Sequence, residues 1–149
     1  MPTRTARAHW SGPLSDGSGA VSTESDALSE TPYSFSSRFE ENGEAGTNPE
    51  ELLGAAHAGC FTMQLSHNLA EAGHPPRRAE TVAHVHLEKA GDGFEIPRIH
   101  LVLEADVPGI SEGEFRRIAD DAKENCPLSK VLRAAEVTLD ARLAGSAPA

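Results

Sequence analysis

Residues 52–65 are apolar or small at nearly every position, whichever face of a helix they fall on. A helix apolar all round is buried on all sides. This one is too short, and too interrupted by Gly54, His57, Gly59 and Gln64, to span a membrane. Just upstream stands helix-start chemistry: Thr47 or Asn48 as cap, Pro49 at the first helical position, Glu50 and Glu51 where the helix dipole favours negative charge. Gly73, followed by Pro75 and Pro76, supplies the stop. The pattern therefore predicts a central helix over 49–72.

Elsewhere the period is two. Residues 4–10 alternate weakly and end at Ser11-Gly12-Pro13, and residues 19–23 follow a turn at Asp16-Gly17-Ser18. Residues 33–39 alternate cleanly, with Tyr33, Phe35, Ser37 and Phe39 on one face and Arg38 on the other, which predicts a third strand whose aromatic face is core. An acidic loop covers 40–46. Strands are expected over 77–89 and 96–107, joined at Gly91-Asp92-Gly93. Ser111 caps a helix whose Phe115, Ile118, Ala119 and Ala122 share a stripe. A short helix follows Cys126-Pro127, and the last strand covers 136–143, overlapping a C-terminal tail over 142–149 expected to fray.

The order βββ-α-ββ-αα-β predicts an α+β domain with antiparallel sheet, one domain over 1–149. A sheet from one small chain covers only one side of the central helix. A helix apolar on every face thus predicts a homodimer in which a second copy covers the rest.

Composition narrows the partners. With 13 Lys and Arg against 23 Asp and Glu, the formal net charge is −10, which argues against nucleic acid and anionic membrane. Two cysteines and no apolar leader behind Met1 suggest a reducing, cytoplasmic setting.

Cys60 and Cys126 are the only thiols, and both read equally well as small buried hydrophobes. Three features favour chemistry. Cys126 precedes Pro127, which makes it a candidate N-cap residue, and helix N-termini favour thiolate. Ala58 and Gly59 allow close approach to Cys60, although small residues also permit tight helix packing. A guanidinium such as Arg38 within about 4–6 Å of a thiol favours its ionised form and can hold a peroxide or carboxylate oxygen, although spacing alone favours a surface pairing of Arg38 with Glu40. A nucleophilic thiolate with a second thiol implies a sulfenic acid that condenses to a disulfide and is reopened by a reductant.

Several blocks together resemble the OsmC/Ohr family of thiol-dependent hydroperoxidases, the OsmC branch in particular. They are Ala8-His9-Trp10-Ser11-Gly12, Val21-Ser22-Thr23-Glu24-Ser25, Ser37-Arg38-Phe39-Glu40, the run from Gly46 through Asn48-Pro49-Glu50 to Cys60-Phe61, Val107-Pro108-Gly109-Ile110, and Cys126-Pro127-Leu128-Ser129-Lys130-Val131-Leu132. The resemblance implies an intertwined homodimer with antiparallel sheets wrapped around long central helices. It implies Cys60 as peroxidatic cysteine, Cys126 as resolving cysteine, Arg38 as active-site arginine and Glu50 as the glutamate that orients it. It further implies organic hydroperoxide as substrate (hydrogen peroxide less well), a dithiol reductant that in parts of the family is a lipoyl-bearing protein, and no metal, haem or flavin. Phe39, Phe61 and Met63 are candidate apolar walls. The helical rise from Glu50 to Cys60 is about 15 Å, so either the helix breaks near Gly54 or Glu50 serves the Cys60 of the other subunit.

Two rival readings stand beside this one. His57 and Cys60 at i, i+3, with His84 and His86 on one strand face, are weak metal-ligand pairs, since a closed zinc site wants four ligands. The thiols of a non-enzymatic redox-sensing protein would look the same. His57 itself reads as a proton shuttle or as a packed core histidine.

Overall fold

The computed structural model describes residues 1–43 and 45–145. Its elements are β1 (Ala6–Ser11), β2 (Ser18–Thr23), β3 (Thr31–Tyr33), α1 (Phe35–Phe39), α2 (Pro49–Glu71), β4 (Arg78–Ala90), β5 (Gly93–Asp106), α3 (Glu112–Asn125), α4 (Pro127–Val131) and β6 (Glu136–Leu143). Contacts divide the chain into two compact units, Met1–Leu52 and Leu53–Ala149.

In the first unit β1, β2 and β3 form an antiparallel meander. Gly19 pairs with Trp10 on one side and Tyr33 on the other. A Cβ at Gly19 would stand 2.8 Å from both rings, which are themselves 5.3 Å apart between centroids. Only glycine leaves room for that aromatic pair.

The strand expected over 33–39 is corrected. Strand ends at Tyr33, and Phe35–Phe39 is a helical turn. Ser34 caps it: its side chain accepts from the Ser37 N–H at 3.2 Å, and the Ser37 hydroxyl accepts from the Ser34 N–H at 2.8 Å. This reciprocal serine pair follows the logic of a capping box. Phe35 and Phe39 then meet as an i, i+4 pair, ring centroids 4.9 Å apart. None of α1 is buried, so the expected aromatic core is absent there.

The second unit holds the main core. Phe61, Leu65 and Leu69 of α2, Ile99, Leu101 and Leu103 of β5, and Phe115, Ala119 and Ala122 of α3 are all fully buried in it. β4 and β5 form the expected antiparallel hairpin, with Gly91 at φ +58° in its turn. β6 pairs with β5 in parallel, a correction to the all-antiparallel expectation. The connection between them contains α3 and α4, and a crossover of that length is what parallel pairing requires. Ser111 caps α3 as expected, accepting from the Glu114 N–H. Arg142 and Leu143, where the expected last strand and the expected fraying tail overlap, belong to β6. Residues 146–149 of that tail, and Glu44 of the acidic loop, lie outside the described residues.

α2 starts as the sequence implies, Asn48 Oδ1 accepting from the Glu51 N–H at 2.7 Å. It ends at Gly73, φ +85°, with the His74 N–H returning to the Leu69 carbonyl at 2.8 Å. It is unbroken at Gly54, where a Cβ would come within 3.3 Å of Val85 Cγ2. That removes the helix break as a way to explain how Glu50 serves Cys60. The opposite face of α2 is open in the single chain: Ala55, Ala56 and Gly59 are exposed, and Met63 is 77% exposed. A Cβ at Gly59 would meet nothing within 4 Å. No helix among the described residues is long and apolar enough to cross a membrane.

Candidate active site

Arg38 and Glu50 come together in the first unit. Arg38 Nη2 donates to Glu50 Oε1 at 2.8 Å, and Nε lies 3.2 and 3.3 Å from the two carboxylate oxygens. Charge-assisted contacts of this multiple kind fix orientation as well as contributing energy. The Glu50 side chain is 11% exposed and that of Arg38 36%, so the anion is sunk and the cation reaches outward. Backbone capture holds the pair in place: Asn48 Nδ2 donates to the Ser37 carbonyl, and the Ser37 hydroxyl donates to the Thr47 carbonyl. The α1 turn that displaces the expected strand is thus what aims Arg38 at the start of α2. The Arg38–Glu40 pairing left open by the sequence does not form; Glu40 accepts from Ser36 instead.

Arg38 also stands 5.2 Å from the centroid of the Phe39 ring. With Trp10, Leu14, Tyr33, Ser34, Phe35 and Phe39 it lines a pocket of about 240 Å³. Of the three apolar walls suggested by the sequence, Phe39 alone lies here. Phe61 is fully buried core and Met63 is on the open face of α2. Tyr33 and Phe35 were missed because a period-two reading of 33–39 buries their rings rather than gathering them around a guanidinium, and nothing in the local sequence places Trp10 and Leu14 beside Arg38.

Cys60 and Cys126 come together in the second unit as free cysteines. Cys126 is fully buried and Cys60 half-buried. Cys126 is the N-cap of α4 with Pro127 at its first turn, and its sulfur accepts from the Ser129 N–H at 3.4 Å. Burial pushes the Cys60 thiol up from its ordinary value. A backbone hydrogen bond from Leu128 opposes this, while the neighbouring Cys126 adds to the rise through charge and hydrogen bonding. A thiol in these surroundings needs a positive charge to become a thiolate at neutral pH.

His57 is fully buried one turn before Cys60, its Nε2 2.8 Å from Ser129 Oγ. Burial lowers its pKa, keeping the ring neutral. His84, read with His86 as a weak ligand pair, stacks on His100 with ring centroids 6.3 Å apart. Among the described residues no group of three or more His, Cys, Asp or Glu is placed to hold a metal ion.

Residues 41–141 match the model of the family described as OsmC-like protein. The chain is 51% identical over 140 residues to peroxiredoxin OsmC of Escherichia coli K12, covering 94% of this chain and 96% of that one. It belongs to the OsmC family. Among solved structures, an organic hydroperoxide resistance protein OsmC from Legionella pneumophila superposes with a TM-score of 0.72 at 26% identity, covering 95% of this chain and 98% of the other. The organic hydroperoxide resistance protein OhrB of Bacillus subtilis gives 0.65 at 26% identity, over 93% and 97%. The OsmC fold expected from the motifs is therefore the fold present, an α+β arrangement of two small sheets with helices.

Proposed function

We propose that this OsmC-family chain is a thiol-dependent peroxidase that reduces organic hydroperoxides through Cys60. The observation that carries the reading is the juxtaposition of two free cysteines, Cys60 and Cys126, from segments far apart in sequence. Its 51% identity to a peroxiredoxin supports the reaction class. Cys60 thiolate attacks the outer oxygen of the hydroperoxide. The O–O bond breaks, the alcohol leaves with a proton, and Cys60 becomes a sulfenic acid. The Cys126 sulfur then attacks the Cys60 sulfur, water leaves, and the resulting disulfide is reopened by a dithiol that is itself oxidised.

Arg38 supplies the charge that the half-buried Cys60 lacks and polarises the peroxide, while Glu50 keeps the guanidinium oriented. The aromatic pocket beside Arg38 accepts the organic part of the substrate. The chain acts as a homodimer: the open face of α2, with Met63 at its centre, is covered by the same face of a second copy, and Glu50 with Arg38 of one protomer serves Cys60 of its partner. The reductant is a dithiol, a lipoyl-bearing protein being one source. The cytoplasm is the compartment that keeps both thiols reduced between cycles.

The test is turnover of tert-butyl hydroperoxide with a dithiol. Cys60→Ser lowers it at least about 10³-fold, the scale on which loss of a covalent nucleophile acts. Turnover that survives in that variant refutes the assignment. A wild-type protein oxidised once by peroxide but never cycling would be a redox sensor instead.

A further inference from the structure

We propose that His57 and Ser129 form a buried hydrogen-bond chain that prepares Cys126 for its attack on oxidised Cys60. The inference rests on the cysteine cycle above and names the residues that govern its second step. The chain is continuous: His57 Nε2 to Ser129 Oγ at 2.8 Å, and Ser129 Oγ to Cys126 Sγ at 3.2 Å. The Ser129 backbone N–H reaches the same sulfur at 3.4 Å. His57 and Cys126 are 0% exposed and Ser129 is 6% exposed, so no bulk water competes for these bonds.

The direction of the chain follows from one orphan. His57 Nδ1 is buried with no partner. A neutral imidazole carries its proton on one nitrogen only. Placed on Nδ1, that proton would be a stranded N–H donor, the rarer and costlier kind of buried orphan. Placed on Nε2, it strands only a lone pair, and Nε2–H donates to Ser129 Oγ. The serine hydroxyl, already accepting, then turns its own proton to Cys126 Sγ. Two donors from Ser129 thereby converge on one sulfur, the arrangement that stabilises negative charge developing there as the thiol gives up its proton in the attack. Of the titratable groups, Cys60 neighbours Cys126 directly and His57 reaches it through Ser129.

The step balances without an outside reagent. Cys126 Sγ forms the S–S bond, the S–O bond of the Cys60 sulfenic acid breaks, and the departing hydroxide leaves as water with the proton of the Cys126 thiol. The two electrons that reduce the Cys60 sulfur come from Cys126. His57 stays neutral throughout, as burial dictates. Packing alone does not account for this histidine: a leucine or methionine would fill the same stripe of α2 without burying an unpaired nitrogen.

Single-turnover experiments with limiting tert-butyl hydroperoxide separate the two steps. Dimedone trapping reports sulfenic acid and loss of free thiol reports disulfide. In His57→Met and in Ser129→Ala, disulfide formation slows about 10–100-fold, the range of one or two hydrogen bonds to a charged group. Sulfenic acid then accumulates, and the pH at half-maximal disulfide rate moves upward. His57→Gln, whose amide N–H can still donate to Ser129, restores most of the rate and the original pH profile. Disulfide formation at the wild-type rate and pH profile in both His57→Met and Ser129→Ala overturns the proposal, as does equal slowing by His57→Gln and His57→Met with no pH shift. If His57→Met does not fold by circular dichroism, Ser129→Ala decides. A wild-type protein that forms no sulfenic acid at all defeats the peroxidase reading instead.

Discussion

The Arg38–Glu50 pair and the Cys60–Cys126 pair are built by opposite means. The first is fully charged, held by several charge-assisted hydrogen bonds, and its cation stays within reach of water. The second is a pair of thiols packed with the core of the second unit, and burial pushes Cys60 away from ionisation. A charge survives where solvent still stabilises it, and a thiol stays protonated where solvent is excluded. In the proposed homodimer the positive end of one pair would meet the sulfur of the other, so that assembly and activation would be one event.

The largest effect should come from keeping the halves of two protomers apart. Met63→Arg places a charge at the centre of the apolar face of α2. An unpaired charge forced into an interface costs about 3–5 kcal/mol, so the dimer dissociates by sedimentation and peroxidase activity falls with it, at least about 10²-fold. A monomeric variant with full activity would separate assembly from activation. Next comes the charge itself. Arg38→Met should lower kcat/KM for tert-butyl hydroperoxide about 10²-fold, and Glu50→Gln about 10-fold, since Glu50 acts only through Arg38. If Glu50→Gln costs more than Arg38→Met, the carboxylate has a role of its own.

Smaller still is a pH effect confined to the second unit. Burial holds the folded-state pKa of His57 below its ordinary 6.5. As pH falls below that ordinary value, the unfolded chain takes up a proton that the folded chain refuses. The histidine's contribution to stability is therefore present above pH 6.5 and lost below it, by at most about 1.4 kcal/mol per pH unit. Denaturant midpoints at pH 5 and pH 8 should differ less in His57→Gln than in the wild type; an unchanged difference places the titrating group elsewhere.

Much of this was legible in the sequence, unevenly. The long helix could be read at both ends because its signals are local: Asn48 and Pro49 at the start, Gly73 at the stop. The β6 strand was read to the residue for the same reason. Cys126 as a cap was legible from Pro127. The turn at Phe35–Phe39 was not, because its aromatic spacing fits a strand and the serine pair that decides otherwise reads as ordinary polar alternation. The partner of Arg38 was named as Glu50 only through the family resemblance; spacing alone left Glu40 open, and it is the capped turn that directs the guanidinium to Glu50. The parallel pairing of β5 and β6 left no mark on either strand, since register is set by what connects them. His57 could be named but not given a task until Ser129, from a distant segment, was found beside it.

One residue does two jobs at the corner between α3 and α4, its backbone N–H donating to the Ala122 carbonyl and its sulfur accepting from the Ser129 N–H. Cys126 closes the last turn of one helix and opens the first turn of the next. In the proposed cycle the sulfur gives up its place at the start of α4 to bond Cys60, so that end of the joint would slacken and re-form as the disulfide closes and opens. The oxidation state of the enzyme is thereby written into the firmness of a backbone corner, and faster amide exchange at Ser129 in the oxidised protein than in the reduced one would read it out.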